Sequence, residues 1–485
     1  MKLQELLQGI EILETNAPMD LEISSVTASS REACAGAMFV AIPGYVVDGH
    51  KFIPNAVQQG ACVILCEHDM PENAPWVRVA STRAAYAQLG ANWYAHPSDA
   101  MQVIGVTGTN GKTSVTYLLK ALLETAVGAK VGLVGTICNM IGSEELPTER
   151  TTPESFELQG LLAQMRDAGC THVVMEVSSH ALYLHRADAI RFRVGAFTNL
   201  TPDHLDFHHT MEEYRRAKAI LFRKCDHGVF DLDDPVTPQM IAEATCDCLT
   251  VGMESTADLS AEEVELGSDH VAMTVREGSE RVKLRLGIPG RFTVSNALVA
   301  LGIARKLDIG LQTAAKALEN AKGVKGRIEV VPTPEQDFTV LIDYAHTPDG
   351  LENVLKSVRD FCKGRIVLVF GCGGDRDSTK RPLMGEIAAK YADFVYVTSD
   401  NPRTEAPMAI IEDILGGMTD TKTPYVVESD RRKAIRLALR FAQKNDIVLL
   451  AGKGHETYQV LGTEKTHLDE REEVASALCE MKESH

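Results

Sequence analysis

The sequence predicts an α/β chain of three domains: a small N-terminal α/β domain, a central doubly wound sheet of P-loop type, and a C-terminal Rossmann-like sheet. Three observations carry this. At 485 residues the chain exceeds what one hydrophobic core usually organises. From residue 98 onward, short apolar runs alternate with segments of helical period, the pattern of parallel strands covered on both faces by helices. The first of these runs leads into Gly108-Thr109-Asn110-Gly111-Lys112-Thr113-Ser114, a glycine-rich turn that opens a helix.

Residues 1–97 form the first unit. A strand is predicted at 37–42, a turn at Asp48-Gly49-His50, a helix at 53–59 and a buried strand at 61–66. His96-Pro97-Ser98-Asp99 reads as a linker. The second unit, 98–328, has strands at 103–107, 131–134, 172–177 and 194–197, separated by helical patterns at 115–125, 154–168 and 211–223. Alternation in 262–286 suggests an antiparallel run. The third unit, 329–485, opens around Pro332 and Pro334, with strands at 339–342, 365–370, 394–398 and 447–450. Its glycine cluster, Gly371-Cys372-Gly373-Gly374-Asp375, does not match the dinucleotide fingerprint.

Composition excludes several function classes. A net charge of −18 argues against nucleic acid as a partner, and any anionic ligand must be held by local basic groups. The first twenty residues carry Glu5, Glu11, Glu14 and Asp20 rather than a basic region before an apolar core, so no secretory signal is read there. No apolar run reaches membrane-helix length, and membrane insertion is not expected. The eleven cysteines form no CxxC pair; Cys246-x-Cys248 lacks a partner pair for zinc. A cytoplasmic protein with reduced thiols is the expectation.

The chemistry concentrates at strand ends. Backbone N–H groups of the loop 108–113 converge on an anion, helped by the helix N-terminus behind it. Lys112 would reach the outer phosphates and Thr113 would offer a hydroxyl to magnesium. The spacing departs from the usual P-loop, because Val106 stands where that loop has glycine. Glu176 ends a strand of the same sheet, where a magnesium ligand is needed. In 198–208, Asp203, His204, Asp206 and His208 are ligand types whose spacing fits no zinc pattern. Lys218, in a helix rich in arginine, reads on composition as a surface lysine. In the third unit Arg376, Asp400-Asn401-Pro402-Arg403 and Gly452-Lys453-Gly454-His455-Glu456 also lie at strand ends. Two arginines facing a glutamate suit a ligand with carboxylates and an ammonium, in effect an amino acid.

Together these motifs resemble the Mur ligases, ATP-dependent amide-forming enzymes of peptidoglycan precursor synthesis. The likeness runs through all three units: 108–113, Glu176-Val177-Ser178-Ser179-His180, the stretch 198–204, Asn296, Arg327, Asp343-Tyr344-Ala345-His346 and 452–456. Gly371 to Asp377, with Lys380-Arg381-Pro382, looks like the members that add the third peptide residue, and Asp400-Asn401-Pro402-Arg403 like those that add meso-diaminopimelate. The resemblance implies ATP and Mg2+ as cofactors, UDP-MurNAc-L-Ala-D-Glu and meso-diaminopimelate as substrates, and a monomer. It implies that Gly108 to Ser114, Asn296, Arg327 and Asp343 bind ATP. Thr113, Glu176, His204 and Lys218 would hold metal, Lys218 as a carbamate formed with carbon dioxide. Ser30, Thr151, Thr152, Ser178 and Arg186 would hold the UDP-sugar dipeptide; Arg376, Asp400 to Arg403, Gly452 and Glu456 would hold diaminopimelate. Leu184 and Ser29 depart from the glutamine and aspartate common in relatives.

The implied reaction activates the D-glutamyl γ-carboxylate as an acyl phosphate, which the diaminopimelate amine then attacks. Lys112, His204, Glu176 and Lys218 would be its catalytic group, with hinges near 97–100 and 324–334. Addition of L-lysine at the same step, or a folylpolyglutamate synthetase-type ligase, are the alternatives within enzymes; the 400–403 motif argues against the second. A nucleotide-gated switch would leave Arg376, Arg403 and Glu456 without a role.

Overall fold

The computed structural model of the chain describes residues 1–44, 47–253, 256–419 and 421–483. The chain divides into two compact units: Met1–Val251 with Gly302–Asp308, and Gly252–Leu301 with Ile309–His485. Among the described residues no helix is long and apolar enough to cross a membrane.

The first unit holds two sheets. The N-terminal one has five strands in the order Glu14–Thr15, Trp76–Arg78, Val63–Cys66, Ala37–Val40, Ser25–Thr27, parallel except where Glu14–Thr15 joins. The predicted strands at 37–42 and 61–66 are its centre, fully buried because both faces are covered. The remaining strands are two or three residues long, too short for alternation to show in the sequence.

The second sheet of this unit follows the predicted doubly wound pattern. Its parallel strands lie in the order Asp247–Gly252, Cys225–Asp231, Phe192–Phe197, Gln102–Thr107, His172–Glu176, Val131–Val134, and the short antiparallel strands Asn139–Ile141 and Glu144–Leu146 extend it. Gln102–Thr107 is central, with later strands on both sides, so its carboxyl end is a switch point where ligands bind. Its longer helices include Lys112–Val127, Ser155–Asp167 and Met211–Ala219, the last continuing as a 3-10 turn over Ile220–Arg223.

The stretch read as a linker is a tight turn, Pro97–Ala100, and Ser98 within it is buried. Its hydroxyl accepts the Arg191 N–H at 3.3 Å. Helix Thr82–Trp93 packs on helix Ser155–Asp167, with the Phe156 ring 5.4 Å from those of Tyr86 and Tyr94. The expected hinge here is a packed joint.

In the second unit the alternating segment forms three antiparallel strands, Leu259–Leu266, Val271–Glu277 and Glu280–Leu286. The C-terminal sheet has six strands in the order Glu329–Val331, Thr339–Asp343, Ile447–Ala451, Ile366–Phe370, Phe394–Val397, Tyr425–Val427, all parallel beyond the first pair. Separate apolar clusters cover its two faces, one around Leu351, Leu355, Met384 and Ile411, the other around Ile435, Leu439 and Val474.

Candidate functional site

At the carboxyl edge of the first unit's large sheet, the loop after Gln102–Thr107 turns back on itself. Gly108 has φ +150°, and a Cβ there would lie 1.9 Å from the Thr198 hydroxyl oxygen; Gly111 has φ +87°. Both positions therefore require glycine. The loop leans on the end of the neighbouring strand: Thr109 N–H donates to the Asn199 carbonyl at 2.9 Å, Asn110 N–H to Asn199 Oδ1 at 2.9 Å, and the Thr198 hydroxyl to the Asn110 carbonyl at 2.6 Å. The Lys112 ammonium curls into the loop, 2.9 Å from the Gly108 carbonyl and 2.8 Å from that of Thr109. A phosphate-sized anion bound by this loop would meet that ammonium directly.

Thr113 and Glu176 meet as predicted. The Thr113 hydroxyl donates to Glu176 Oε1 at 2.9 Å, and the same carboxylate accepts the Thr136 N–H and hydroxyl, each at 3.0 Å. Glu176 is 1 % exposed. A hydroxyl and a carboxylate held at the mouth of a phosphate loop are hard oxygen donors, the set that suits magnesium. His204 sits apart in character: half-exposed, at φ +53°, 3.5 Å from the Asp203 carboxylate. Its ring stands edge-on to His180 at 4.8 Å. His208, by contrast, is buried, its Nε2 2.8 Å from the Ser179 hydroxyl, and burial pushes its pKa down to about 4.

Lys218 overturns its surface reading. It is 1 % exposed, donates to the Gly108 carbonyl at 2.8 Å and lies 4.3 Å above the Tyr214 ring. Burial, and next the charge of Lys112, hold its pKa well below the ordinary lysine value, with Asp203 opposing. The neutral amine so favoured is the nucleophilic form. Tyr214, Lys218 and Leu221 are spaced i, i+4, i+7 and all buried, a stripe that marks Lys218 as inward-facing.

Thr151, Thr152, Ser178 and Arg186 gather beside Glu176. Thr152 Oγ1 donates to the Glu176 carbonyl at 2.9 Å and accepts the Ser178 N–H at 3.2 Å. Thr151 Oγ1 is 3.0 Å from that of Thr136, and Arg186 donates to the Thr152 carbonyl at 3.3 Å while pairing with Glu154 at 2.8 Å. Ser30 is farther along the N-terminal sheet, its hydroxyl accepting from Asn55 Nδ2 at 3.0 Å. A cavity of about 550 Å³ lies between Pro43, Gly44 and Arg83 on one side and Tyr183, Leu184, Phe207, Arg216, Ala217 and Arg223 on the other. Leu184 gives this wall a methyl surface; Arg83, Arg216 and Arg223 border the cavity together with Glu213, Arg216 pairing with Glu212 at 2.7 Å and Arg223 with Glu243 at 2.9 Å. Arg83 was not singled out in the sequence; it donates to the Pro43 carbonyl at 3.1 and 2.8 Å.

In the N-terminal sheet Asp48, His50 and His68 also approach one another. His50 Nδ1 faces Asp48 at 2.7 Å and its Nε2 accepts the Glu67 N–H at 2.9 Å, so both ring nitrogens are engaged by the protein and no metal is assigned.

The second unit holds the other predicted residues. Asn296, on helix Arg291–Lys306, is 5 % exposed. Asp343 is buried and accepts the N–H groups of Ile328 and Ala345, each at 2.8 Å, so it fastens the Arg327 segment to the strand end. Burial raises its pKa, with Arg327 opposing. Arg327 lies 5.7 Å from the Tyr344 ring centre.

At the carboxyl edge of the C-terminal sheet, Arg403 (φ +52°) donates to the Gly374 carbonyl at 2.7 Å, which places it beside the glycine cluster. Arg376 is exposed on the same loop. Asn401 Nδ2 donates to Glu456 Oε2 at 3.0 Å, and Lys453, fully buried, donates to both Asn401 Oδ1 and Glu456 Oε2 at 3.0 and 2.9 Å. Gly452 is buried against Asp400. The two motifs thus form one cluster. Arg381 and Glu405, absent from the predicted set, bind each other at 2.8 Å beneath it, and Arg381 also reaches the Gly373 carbonyl at 3.3 Å.

Three family profiles match the chain: "Mur ligase family, catalytic domain" over residues 22–94, "Mur ligase middle domain" over 106–304, and "Mur ligase, glutamate ligase domain" over 326–454. A UDP-N-acetylmuramoyl-L-alanyl-D-glutamate–2,6-diaminopimelate ligase of Caldanaerobacter subterraneus subsp. tengcongensis is 47% identical over 99% of both chains. One of the same name from Clostridium tetani is 43% identical over 99% of this chain and 100% of that one. A solved structure of a ligase of that name superposes with a TM-score of 0.76 at 30% identity, covering 99% of each chain.

Proposed function

The chain belongs to the Mur ligase family, and from that premise we propose that it joins meso-diaminopimelate to the D-glutamyl γ-carboxylate of UDP-MurNAc-L-Ala-D-Glu at the expense of ATP. The observation that carries the chemistry is the Lys218 amine buried against the phosphate loop that holds Lys112.

A carboxylate does not condense with an amine in water, because hydroxide leaves poorly. In this reading a γ-carboxylate oxygen attacks the γ-phosphorus of ATP, ADP departs, and an acyl phosphate forms. The diaminopimelate amine then attacks the acyl carbon, inorganic phosphate leaves, and the amine loses a proton. Lys112 offsets the charge that builds on the phosphoryl oxygens. Thr113 and Glu176, hydrogen-bonded to each other at 2.9 Å, would hold magnesium, which would neutralise phosphate charge. The neutral Lys218 amine adds to carbon dioxide and loses a proton, giving a carbamate, a further oxygen donor in the same pocket. His204 is a further metal ligand on the strength of its family position.

The cavity bordered by Arg83, Arg216 and Arg223, with Thr151, Thr152, Ser178, Arg186 and Ser30, is assigned to the anionic UDP-sugar dipeptide. Arg376, Asp400 to Arg403, Gly452 and Glu456 are assigned to the amino acid, with Arg403 facing the carboxylate that distinguishes diaminopimelate from lysine. Asn296, Arg327 and Asp343 keep their ATP roles from family likeness. The functional modules are 1–97 for the UDP-sugar, 98–328 for ATP and 329–485 for the amino acid. The enzyme is assigned to the cytoplasm as a monomer.

The test is phosphate release from ATP with purified protein. Release is expected only with the UDP-dipeptide and meso-diaminopimelate both present, and weakly or not at all with L-lysine in its place. Release that is indifferent to the UDP-dipeptide, or as fast with lysine, would sink the assignment.

A further inference from the structure

The two loops of the amino-acid cluster leave strands that are not neighbours. Phe394–Val397 leads to Ser399 and the 400–403 loop; Ile447–Ala451 leads to the 452–456 loop; Ile366–Phe370 lies between the two strands. Ladder hydrogen bonds therefore join each strand to the middle one and do not link Ser399 to Ala451 directly. Farther out, the 400–403 loop is tied to the chain beyond 456, the Arg403 N–H donating to the Val460 carbonyl at 3.1 Å and Gln459 Nε2 to the Asp400 carbonyl at 2.6 Å. At the loop bases themselves a side chain makes the link. Arg431, first residue of helix Arg431–Phe441, reaches under the sheet edge and donates from Nη2 to the Ala451 carbonyl at 2.9 Å and from Nη1 to the Ser399 carbonyl at 3.4 Å. Its Nε donates to Glu470 Oε1 at 2.8 Å, and both side chains are fully buried. Asp430 caps the helix and fixes where Arg431 begins.

A buried ion pair is a poor device for stability, because desolvating two charges consumes most of their attraction, and apolar replacements are often as stable. Glu470 Oε2 is moreover buried without a hydrogen-bond partner among the described residues, a further cost. What the planar guanidinium does, and an apolar side chain cannot, is hold two carbonyls at a set separation while a third partner fixes its own orientation. Above it, Lys453 ties Asn401 to Glu456 within the site; below it, Arg431 ties the residues from which those loops spring.

We propose that Arg431, oriented by Glu470, is a positioning residue for the amino-acid subsite: it touches no substrate but sets the distance between the 400–403 and 452–456 loops, and so the affinity for the incoming amino acid. This rests on the assignment of those loops to diaminopimelate.

The experiment is steady-state kinetics and thermal melting of Arg431→Lys, Glu470→Gln and the double variant Arg431→Met/Glu470→Met, beside the wild type. The double variant leaves no unpaired buried charge and should melt at or near the wild-type temperature. Its KM for diaminopimelate should nevertheless rise roughly tenfold or more, since small misplacements of binding groups are costly, while KM for ATP and for the UDP-dipeptide stays within about twofold. Arg431→Lys should show the same selective rise, and Glu470→Gln a smaller one. A folded double variant with an unchanged diaminopimelate KM would overturn the proposal, as would a parallel decline of every parameter with melting temperature. A wild type that does not use diaminopimelate would instead overturn the assignment of the subsite, and the proposal with it.

Discussion

Lys218 illustrates how one side chain acquires a role from its surroundings. An ammonium packed beneath a glycine loop, with a second lysine nearby, is the costlier of its two protonation states. Protonation would therefore oppose the proposed carbamate: as pH falls through the depressed pKa, the amine would be captured by a proton rather than by carbon dioxide. Wild-type activity should decline in buffer stripped of carbon dioxide, and more so at lower pH. A Lys218→Ala variant should lose roughly two to three orders of magnitude in kcat, the usual scale for removing one electrostatic stabiliser of a transition state. Short-chain carboxylic acids, which can occupy the space and supply a carboxylate, should restore part of it. Full activity of the variant without such acids would reduce Lys218 to a packing residue. Its burial was legible only in the spacing with Tyr214 and Leu221, because composition alone places lysine outside.

Among the elements, the loop 108–113 was the most readable, because glycine at Gly108 and Gly111 answers backbone angles other residues resist. The buried central strands were equally plain, since covered parallel strands are apolar along their middles, as in 103–106, 131–134 and 173–175. The short strands Ser25–Thr27 and Trp76–Arg78 were not, nor were Arg381 with Glu405 or Arg431 with Glu470. A charged residue in a helix's first turn looks like a solvated one until the fold brings its partner from 24 or 39 residues away. Arg403 belongs to this scale because its loop, not its own identity, aims it. Its left-handed backbone and its bond to the Gly374 carbonyl place the guanidinium at the glycine cluster. Losing a charge-assisted contact to the second carboxylate of diaminopimelate should cost about 2–3 kcal/mol. For Arg403→Ala this means a fall of roughly 30- to 160-fold in kcat/KM for diaminopimelate, with little change for ATP. An unchanged kcat/KM would remove Arg403 from the subsite.

For the molecule as a whole, the joint between the N-terminal and central sheets bears on how the chain divides. The sequence suggested a linker at 96–99, yet Ser98 is buried there and helices Thr82–Trp93 and Ser155–Asp167 are packed together. Phe156 is the pivot of that contact, with the rings of Tyr86 and Tyr94 at 5.4 Å and that of Trp93 at 6.4 Å. Arg166 adds a bond to the Tyr94 carbonyl at 2.8 Å. Two sheets that share such an interface should unfold as one cooperative body, while the C-terminal sheet, with apolar clusters on both its faces, has the means to unfold by itself. Calorimetry of the wild type should then resolve two transitions. Removing the half-buried Phe156 ring should cost about 2–3 kcal/mol, toward the low end for phenylalanine truncation. In a unit of this size, Phe156→Ala should lower one transition by roughly 5–10 °C and leave the other in place. The N-terminal and central sheets should melt together in that lowered step. A variant whose N-terminal sheet melts alone, ahead of the phosphate-loop sheet, would show that 97–100 separates two independent bodies after all.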